Sequence, residues 1–519
     1  MIDNKRYDAV IVGAGHNGLV AACYLAQAGK RVIVFEAADS VGGACTSERF
    51  NDDYIISPCA QYLNQLDSQV GKDLKLVSHG LSLAGNALGT TVLAADAQHI
   101  FLDSGQASGA VSEIDQRAFT KFHQAAVSYS KALLPLLQAP PPNMFAPDFG
   151  DKSVAAKLAW ALRGKLGKDG MRDLLRIITM NVYDWLDEYF ESPLLKGGLS
   201  LDACMGHFAG PRTGGTVLNY LYQGSSGYKL KQVGGGMGGV TKAVEAAAKG
   251  LGVDIRCGEK IASINVDQCR VSGVQLASGQ SIEAPHVLSS VDLKTTVLGL
   301  TGARHFEADF VHATSHVRSR GMTARLHLAL DDLPTFEGLP SARLGGRMLI
   351  APSARAVDRA FDCAKYGRVS DHPMMDISLP SVNDASLAPS GHHVLSASVQ
   401  YAPYDLIGGW TGSARTSFRK ACIDRIAEFA PDLHSRIVSA ELLTPLDFED
   451  RYGLPGGHWH QGEMALDQMA MLRPVPSASR YALPLDGLYL CGAAAHPGGG
   501  VMGLCGKLAA EALLKGEKA

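Results

Sequence analysis

The chain has 519 residues, 46% apolar and 19% charged, and reads as an ordinary soluble globular protein of two or three domains. Its net charge of −3 carries no polyanion-binding footprint, so nucleic acid is not an expected partner. Ten cysteines form no C-x-x-C pair and no zinc-spaced Cys/His cluster. No metal is expected, and the thiols read as small buried apolar groups in a reducing, cytoplasmic compartment.

At the start of the chain, Asp3, Lys5, Arg6 and Asp8 precede an apolar stretch interrupted by His16 and Asn17, which does not read as a signal peptide. No run of about 18 uncharged apolar residues occurs, so no membrane span is expected, and a peripheral contact stays open. Residues 7–12 (Tyr-Asp-Ala-Val-Ile-Val) predict a buried parallel strand. A helix follows over Gly18–Ala28, ending at Gly29, and then a second strand over Arg31–Glu36. This is a complete β-α-β unit.

The turn inside it is Gly13-x-Gly15-x-x-Gly18. Gly13 allows the tight turn, Gly15 the approach of a pyrophosphate to the backbone, and Gly18 the packing of helix on strand. His16 and Asn17 lie at the helix start, whose free amides and positive dipole end favour phosphate. Glu36 is placed to accept hydrogen bonds from an adenosine ribose, with Ala37 beside it. Strand, turn, helix, strand and acid occur in order, which points to a dinucleotide. Gly42-Gly43, followed by Ala44 and Cys45, offers a second close backbone approach just past the ribose acid, which suits FAD. A simple pair of loop glycines is the alternative for these two.

Farther along, Ser112–Leu137 and Asp169–Phe190 read as helical, with Pro135 expected to kink or end the first early, and Pro140-Pro141-Pro142 as a stiff linker between them. Short strands return at Val253–Ile255, Ile261–Val266 and Val271–Leu276, with a hairpin tip at Asp267-Gln268. The glycines of Gly234–Gly239 open a helix to Lys249; they serve either close docking near a ligand or a packing turn. Residues 296–475 mix strands and helices. Leu488–Cys491 is a last buried strand, followed by the turn Gly492 to Gly503 and a final helix over about Val501–Leu514. In a flavoprotein its N-terminus would face the ring edge that becomes anionic on reduction. His496 in this turn is either near the ring or a turn histidine bonded to backbone.

Together, Ala9–Gly43, Phe190–Lys196, Gly234–Val240, Arg473–Pro476 and Gly487–Gly503 resemble the phytoene desaturase-like branch of FAD-dependent oxidoreductases, related to the amine oxidases. Within it the pattern is similar to the pyridine nucleotide-disulphide oxidoreductase domain-containing protein 2 group. The resemblance implies an α/β fold with a discontinuous Rossmann-type FAD-binding domain, glutathione reductase-like or amine oxidase-like, and an inserted α+β substrate domain. The expected division is 1–70, 230–295 and 480–519 for FAD, and 71–229 and 296–479 for substrate. The resemblance also implies a hydrophobic tunnel ending at the flavin, and a main-chain adenine contact at Ile261. Cofactor contacts in the C-terminal turn are expected at Gly492, Ala493, Gly500, Val501 and Met502. Many relatives carry arginine directly after the glycine pair, where this chain has Ala44.

The expected activity is dehydrogenation or desaturation of a mainly apolar small molecule by hydride transfer to the flavin, with oxygen or a quinone as electron acceptor. Flavin-dependent amine oxidation is one alternative, and a non-catalytic FAD-containing lipid- or partner-binding protein another. No second dinucleotide fingerprint supports an NAD(P)H site. His458 and His460, in Gly456–Gly462, are the candidate proton-transfer groups, because histidine titrates near neutral pH; a structural histidine bridging two loops is the alternative. Trp459, Tyr401, Tyr404 and Trp410 are candidate cavity walls, with core packing the default for each.

Overall fold

The computed structural model describes residues 6–51, 53–143 and 147–517; Asp3 and Lys5 lie outside them. A five-stranded parallel sheet is ordered 488–490, 286–289, 9–12, 32–35, 254–256. Its inner strands, Ala9–Val12 and Val32–Phe35, are apolar and buried throughout, as strands covered on both faces must be. On one face the first helix, His16–Gln27, packs between Gly238–Gly250 and Leu504–Gly516. A Cβ on Gly506 would run into the Asn17 carbonyl, so the last helix meets the first backbone to backbone. An antiparallel ribbon of Ile261–Asp267, Arg270–Leu276 and Ser281–Glu283 covers the other face near 286–289. Segments distant in the sequence therefore build one sheet.

An eight-stranded sheet stands beside it, ordered 437–443, 323–330, 393–400, 374–378, 347–350, 90–92, 100–103, 106–109. Its strands are antiparallel except 347–350 against 90–92. A helical region over 113–223 packs around Trp185 and Phe122, whose rings sit 4.6 Å apart. Asp115 accepts from the amides of Glu191 (2.9 Å) and Ser192 (2.8 Å), tying its longest helix to the start of the helix Pro193–Cys204. Among the described residues no helix is long and apolar enough to cross a membrane.

Several boundaries differ from the sequence reading. The helix Glu113–Leu137 passes through Pro135, which neither kinks it early nor ends it there, because only its last turn is touched. The stretch 169–190 is two helices, Gly167–Ile177 and Val182–Asp187, since Asn181 caps the second by accepting from the Asp184 amide. The ribbon's tip is Gln268-Cys269, both at positive φ, one residue later than expected. The final helix starts at Leu504, with Gly503 at φ +76 as its N-cap, three residues later than expected. All ten cysteines are free and seven are buried.

Candidate active site

A cavity of about 1270 Å³ runs from the first glycine turn, past the C-terminal turn, to the helical region. It exceeds the roughly 300–1,000 Å³ of ordinary small-molecule sites, so it has room for a cofactor and a further molecule.

At one end lie Gly13, Gly15, His16, Asn17 and Gly18, with Glu36, Ala37, Lys260 and Ile261. Glu36 accepts from the amides of Ala14 (2.7 Å) and Ala38 (3.0 Å), which locks the turn to the end of the second strand. Two backbone bonds leave carboxylate lone pairs free for ligand hydroxyls. Gly13 sits at φ +89, and Ser290 donates to its carbonyl at 3.0 Å. A Cβ on Gly15 would meet nothing within 4 Å, whereas one on Gly18 would strike the Gly13 carbonyl. Asn17 is 4% exposed, and its Oδ1 has no partner among the described residues. A turn with an open face and an orphaned buried acceptor is shaped for a ligand.

Gly43, Ala44 and Cys45 line the same cavity as Gly492, Ala493, Gly500 and Val501 of the C-terminal turn. His16 bridges the two turns through the Gly500 carbonyl at 3.2 Å. Burial raises the Cys45 thiol to about 12, leaving it protonated and unreactive. His460, Trp459 and Gln461 complete this stretch. His460 stacks on His207 (5.3 Å, 15°). Burial, with His207, His458 and Arg473 nearby, holds its imidazole well below the usual range, so it is neutral.

Beyond this point Phe119, Leu199, Tyr220 and Tyr228 form an aromatic chamber, the two tyrosine rings 4.9 Å apart. His123 stands beside Phe119 and Tyr228 in this wall, which also carries a charged polar station. Arg347 binds Asp202 at 2.5 Å and Asp376 at 2.8 Å, and Tyr62 donates to Asp376 at 2.9 Å. For Asp202, burial outweighs pairing and raises its carboxyl above the usual range.

Three expected site residues lie behind the wall. Gly42 is spent on the Ala14 carbonyl (3.1 Å). Met502 is buried two residues ahead of the final helix, and its amide bonds the Gly500 carbonyl. His458 is 1% exposed, and its Nδ1 accepts from the His460 amide at 3.2 Å, which makes it a loop histidine. His496 bonds the Leu136 carbonyl at 2.7 Å. The glycines of 234–239 make a packing turn: Cβ atoms at Gly236 and Gly238 would meet Ser47. Trp459 lines the cavity, whereas Tyr401, Tyr404 and Trp410 do not. Sequence reading missed the polar station, whose residues come from four separate segments, and Arg473, which lay in a noted stretch without a role.

A family model described as an NAD(P)-binding Rossmann-like domain matches residues 11–75. The pyridine nucleotide-disulfide oxidoreductase domain-containing protein 2 of Rattus norvegicus is 33% identical, over 98% of this chain and 94% of the relative. The chain belongs to that family. It is an oxidoreductase. A component of the limonene dehydrogenase of Castellaniella defragrans is 24% identical, over 96% of this chain and 93% of that relative. Among solved structures, the cyclohexylamine oxidase of Brevibacterium oxydans has the same fold, with a TM-score of 0.61 at 15% identity over 99% of this chain and all of the other.

The buried histidines carry a pH signature. Burial lowers His16, His207 and His496 to about 4. Between pH 4 and about 6.5 the unfolded chain binds protons at these positions that the folded one does not, so stability rises with pH across that window and levels off above it. Each histidine contributes roughly 1.4 kcal/mol per pH unit inside the window. The urea midpoint is expected to fall steeply from pH 6.5 to 4; a flat profile would show these imidazoles protonated in the fold.

Proposed function

We propose that the chain binds FAD along this cavity and dehydrogenates a mainly apolar small molecule that carries one polar group. The supporting observation is continuity: a dinucleotide grip and an aromatic chamber share one space, joined where His460 meets the 492–501 turn. Gly13–Gly18 and Glu36 would hold the ADP half. Gly43–Cys45 and Gly492–Val501 would flank the remainder. Bound FAD supplies a hydride acceptor for a saturated carbon. The chain's own part is to exclude water, to hold that carbon in place, and to offer a neutral His460 as a hydrogen-bonding partner. The aromatic walls suit an apolar body, and Asp202, 20% exposed, suits a polar end. Electrons would leave to oxygen or a quinone.

Amine oxidation is the second reading, favoured by Asp202 near Tyr220 and Tyr228, whose hydroxyls feel its charge. Anaerobic reduction of the holoprotein by amines, isoprenoids and alicyclic compounds separates the two. The purified protein is expected to be yellow and to bleach with a member of the apolar classes. Bleaching by amines alone would replace the first reading with the second. A colourless protein that takes up no added FAD would end both, and a yellow one that nothing reduces would favour a non-catalytic role.

A further inference from the structure

Arg473 is 1% exposed and lies directly behind the cavity wall. Its guanidinium donates to main-chain carbonyls only: His460 at 2.6 Å, Ala493 at 2.8 Å, Glu463 at 3.1 Å, and Gln468 and Gly462 at longer range. Two of these carbonyls belong to residues that line the cavity, one from the 456–462 loop and one from the C-terminal turn. Nε has no partner among the described residues. The nearest acidic side chains along the chain are already paired: Asp467 with Arg318 (2.6 Å), and Glu463 with Arg318 (3.1 Å) and Arg320 (2.6 Å). The rings around it bring no negative charge: His207 and His460 are neutral, and burial keeps the Tyr222 hydroxyl protonated. Among the described residues, a whole positive charge is thus buried without a counter-ion, an arrangement that costs stability unless something negative offsets it.

Carbonyl dipoles offset part of that charge. The rest acts through a thin wall on whatever occupies the cavity between His460 and Ala493, where the low dielectric strengthens it. We propose that Arg473 is a buried positive pole that favours the reduced, anionic cofactor over the oxidised one and so raises its reduction potential. The inference rests on the FAD reading. Bound FAD would accept a hydride, the hydrogen nucleus with both electrons of a substrate C–H bond, and gain one negative charge, while the oxidised substrate would give up its second hydrogen to solvent as a proton. Arg473 meets that charge as it arrives, without moving and without touching substrate. It is therefore a positioning residue for charge, not a catalytic one. Such fixed charge acts with no reorganisation at the moment of reaction. The final helix, whose first turn begins only at Leu504, had been the expected source of this effect.

The alternative is a clamp, in which the fork merely holds two loops. Arg473→Met and Arg473→Lys separate them in the FAD holoprotein. The midpoint potential is read against reference dyes, with sulfite affinity as a second measure of positive charge at the flavin. Arg473→Met is expected to lower the two-electron reduction equilibrium at least tenfold, about 30 mV, and to weaken sulfite binding in parallel. Arg473→Lys keeps the charge but cannot span the carbonyls; it should lose thermal stability while its potential stays near wild type. An unchanged potential in Arg473→Met overturns the proposal, as does a potential in Arg473→Lys as low as in the Met variant. If the Met variant does not fold, Arg473→Gln, which can still donate to a carbonyl but carries no charge, takes its place: a lowered potential supports the pole, and an unchanged one overturns it. Wild-type protein that binds no FAD would overturn the underlying reading as well, whereas a flavin-bound wild type with an insensitive Arg473→Met overturns this inference only.

Discussion

Gly15→Val is expected to leave the apoprotein folded and to weaken FAD binding by about 10–10⁴-fold. Gly15 sits at φ −65 and ψ 164, a conformation open to any residue, and its Cβ would project into empty space. The fold therefore loses nothing measurable, within about 0.5 kcal/mol, as for substitutions that disturb no packing. On the FAD reading, that empty space would take the pyrophosphate. Displacing it removes one or two charge-assisted amide bonds at about 1.5–3 kcal/mol each, which converts to the stated range. Gly18→Val behaves in the opposite way. Its Cβ would strike the Gly13 carbonyl and crowd Ser290, so the helix must lift from the strand and the apoprotein itself is destabilised. Thermal unfolding without cofactor, followed by titration of FAD against its fluorescence, distinguishes the two. A Gly15→Val protein that binds FAD as wild type does would remove this turn from the site.

Arg347→Met is expected to cost about 3–5 kcal/mol of stability. The arginine is 7% exposed and shared by two carboxylates, one of which, Asp376, is only 4% exposed. Removing it strands both acids near an aromatic chamber. Replacing Asp202 and Asp376 by asparagine in the same chain should recover more than half of the loss, because the desolvated charges are then gone. Urea midpoints for the single and triple variants give the comparison. A cost below about 1 kcal/mol for Arg347→Met would mean that water reaches this station freely, as it does at surface pairs.

How far the molecule was legible depended on whether the relevant contacts are local. The first β-α-β unit lies within one short run, and Gly13 to Glu36 are placed as their types suggest. The C-terminal turn was also visible, but the helix after it begins late because Gly503, in the left-handed region, serves as its cap. His458 and His460 illustrate the limit. They are the first and third residues of a turn closed by the Gln461 amide on the His458 carbonyl (3.0 Å), so one lines the cavity and the other turns away, and nothing in the local composition says which. The polar station was illegible for another reason: Tyr62, Asp202, Arg347 and Asp376 meet only after two neighbouring inner strands of the eight-stranded sheet, a loop and the helix Pro193–Cys204 assemble. Taken singly, each reads as an ordinary solvent-facing residue.

The contact of Gly506 with the Asn17 carbonyl also has a bearing on biosynthesis. The first helix leaves the ribosome long before the last one is made, a gap on the order of 25–100 s at about 5–20 residues per second. Throughout that interval the first helix lacks the glycine-bearing partner that packs against it in the folded chain. On the FAD reading, loading would wait for release, because a chain cut short before Gly492 would hold the first glycine turn yet lack the C-terminal turn that lines the same cavity. Such a product is a natural client for chaperones and proteases, and its abundance is set by their capacity.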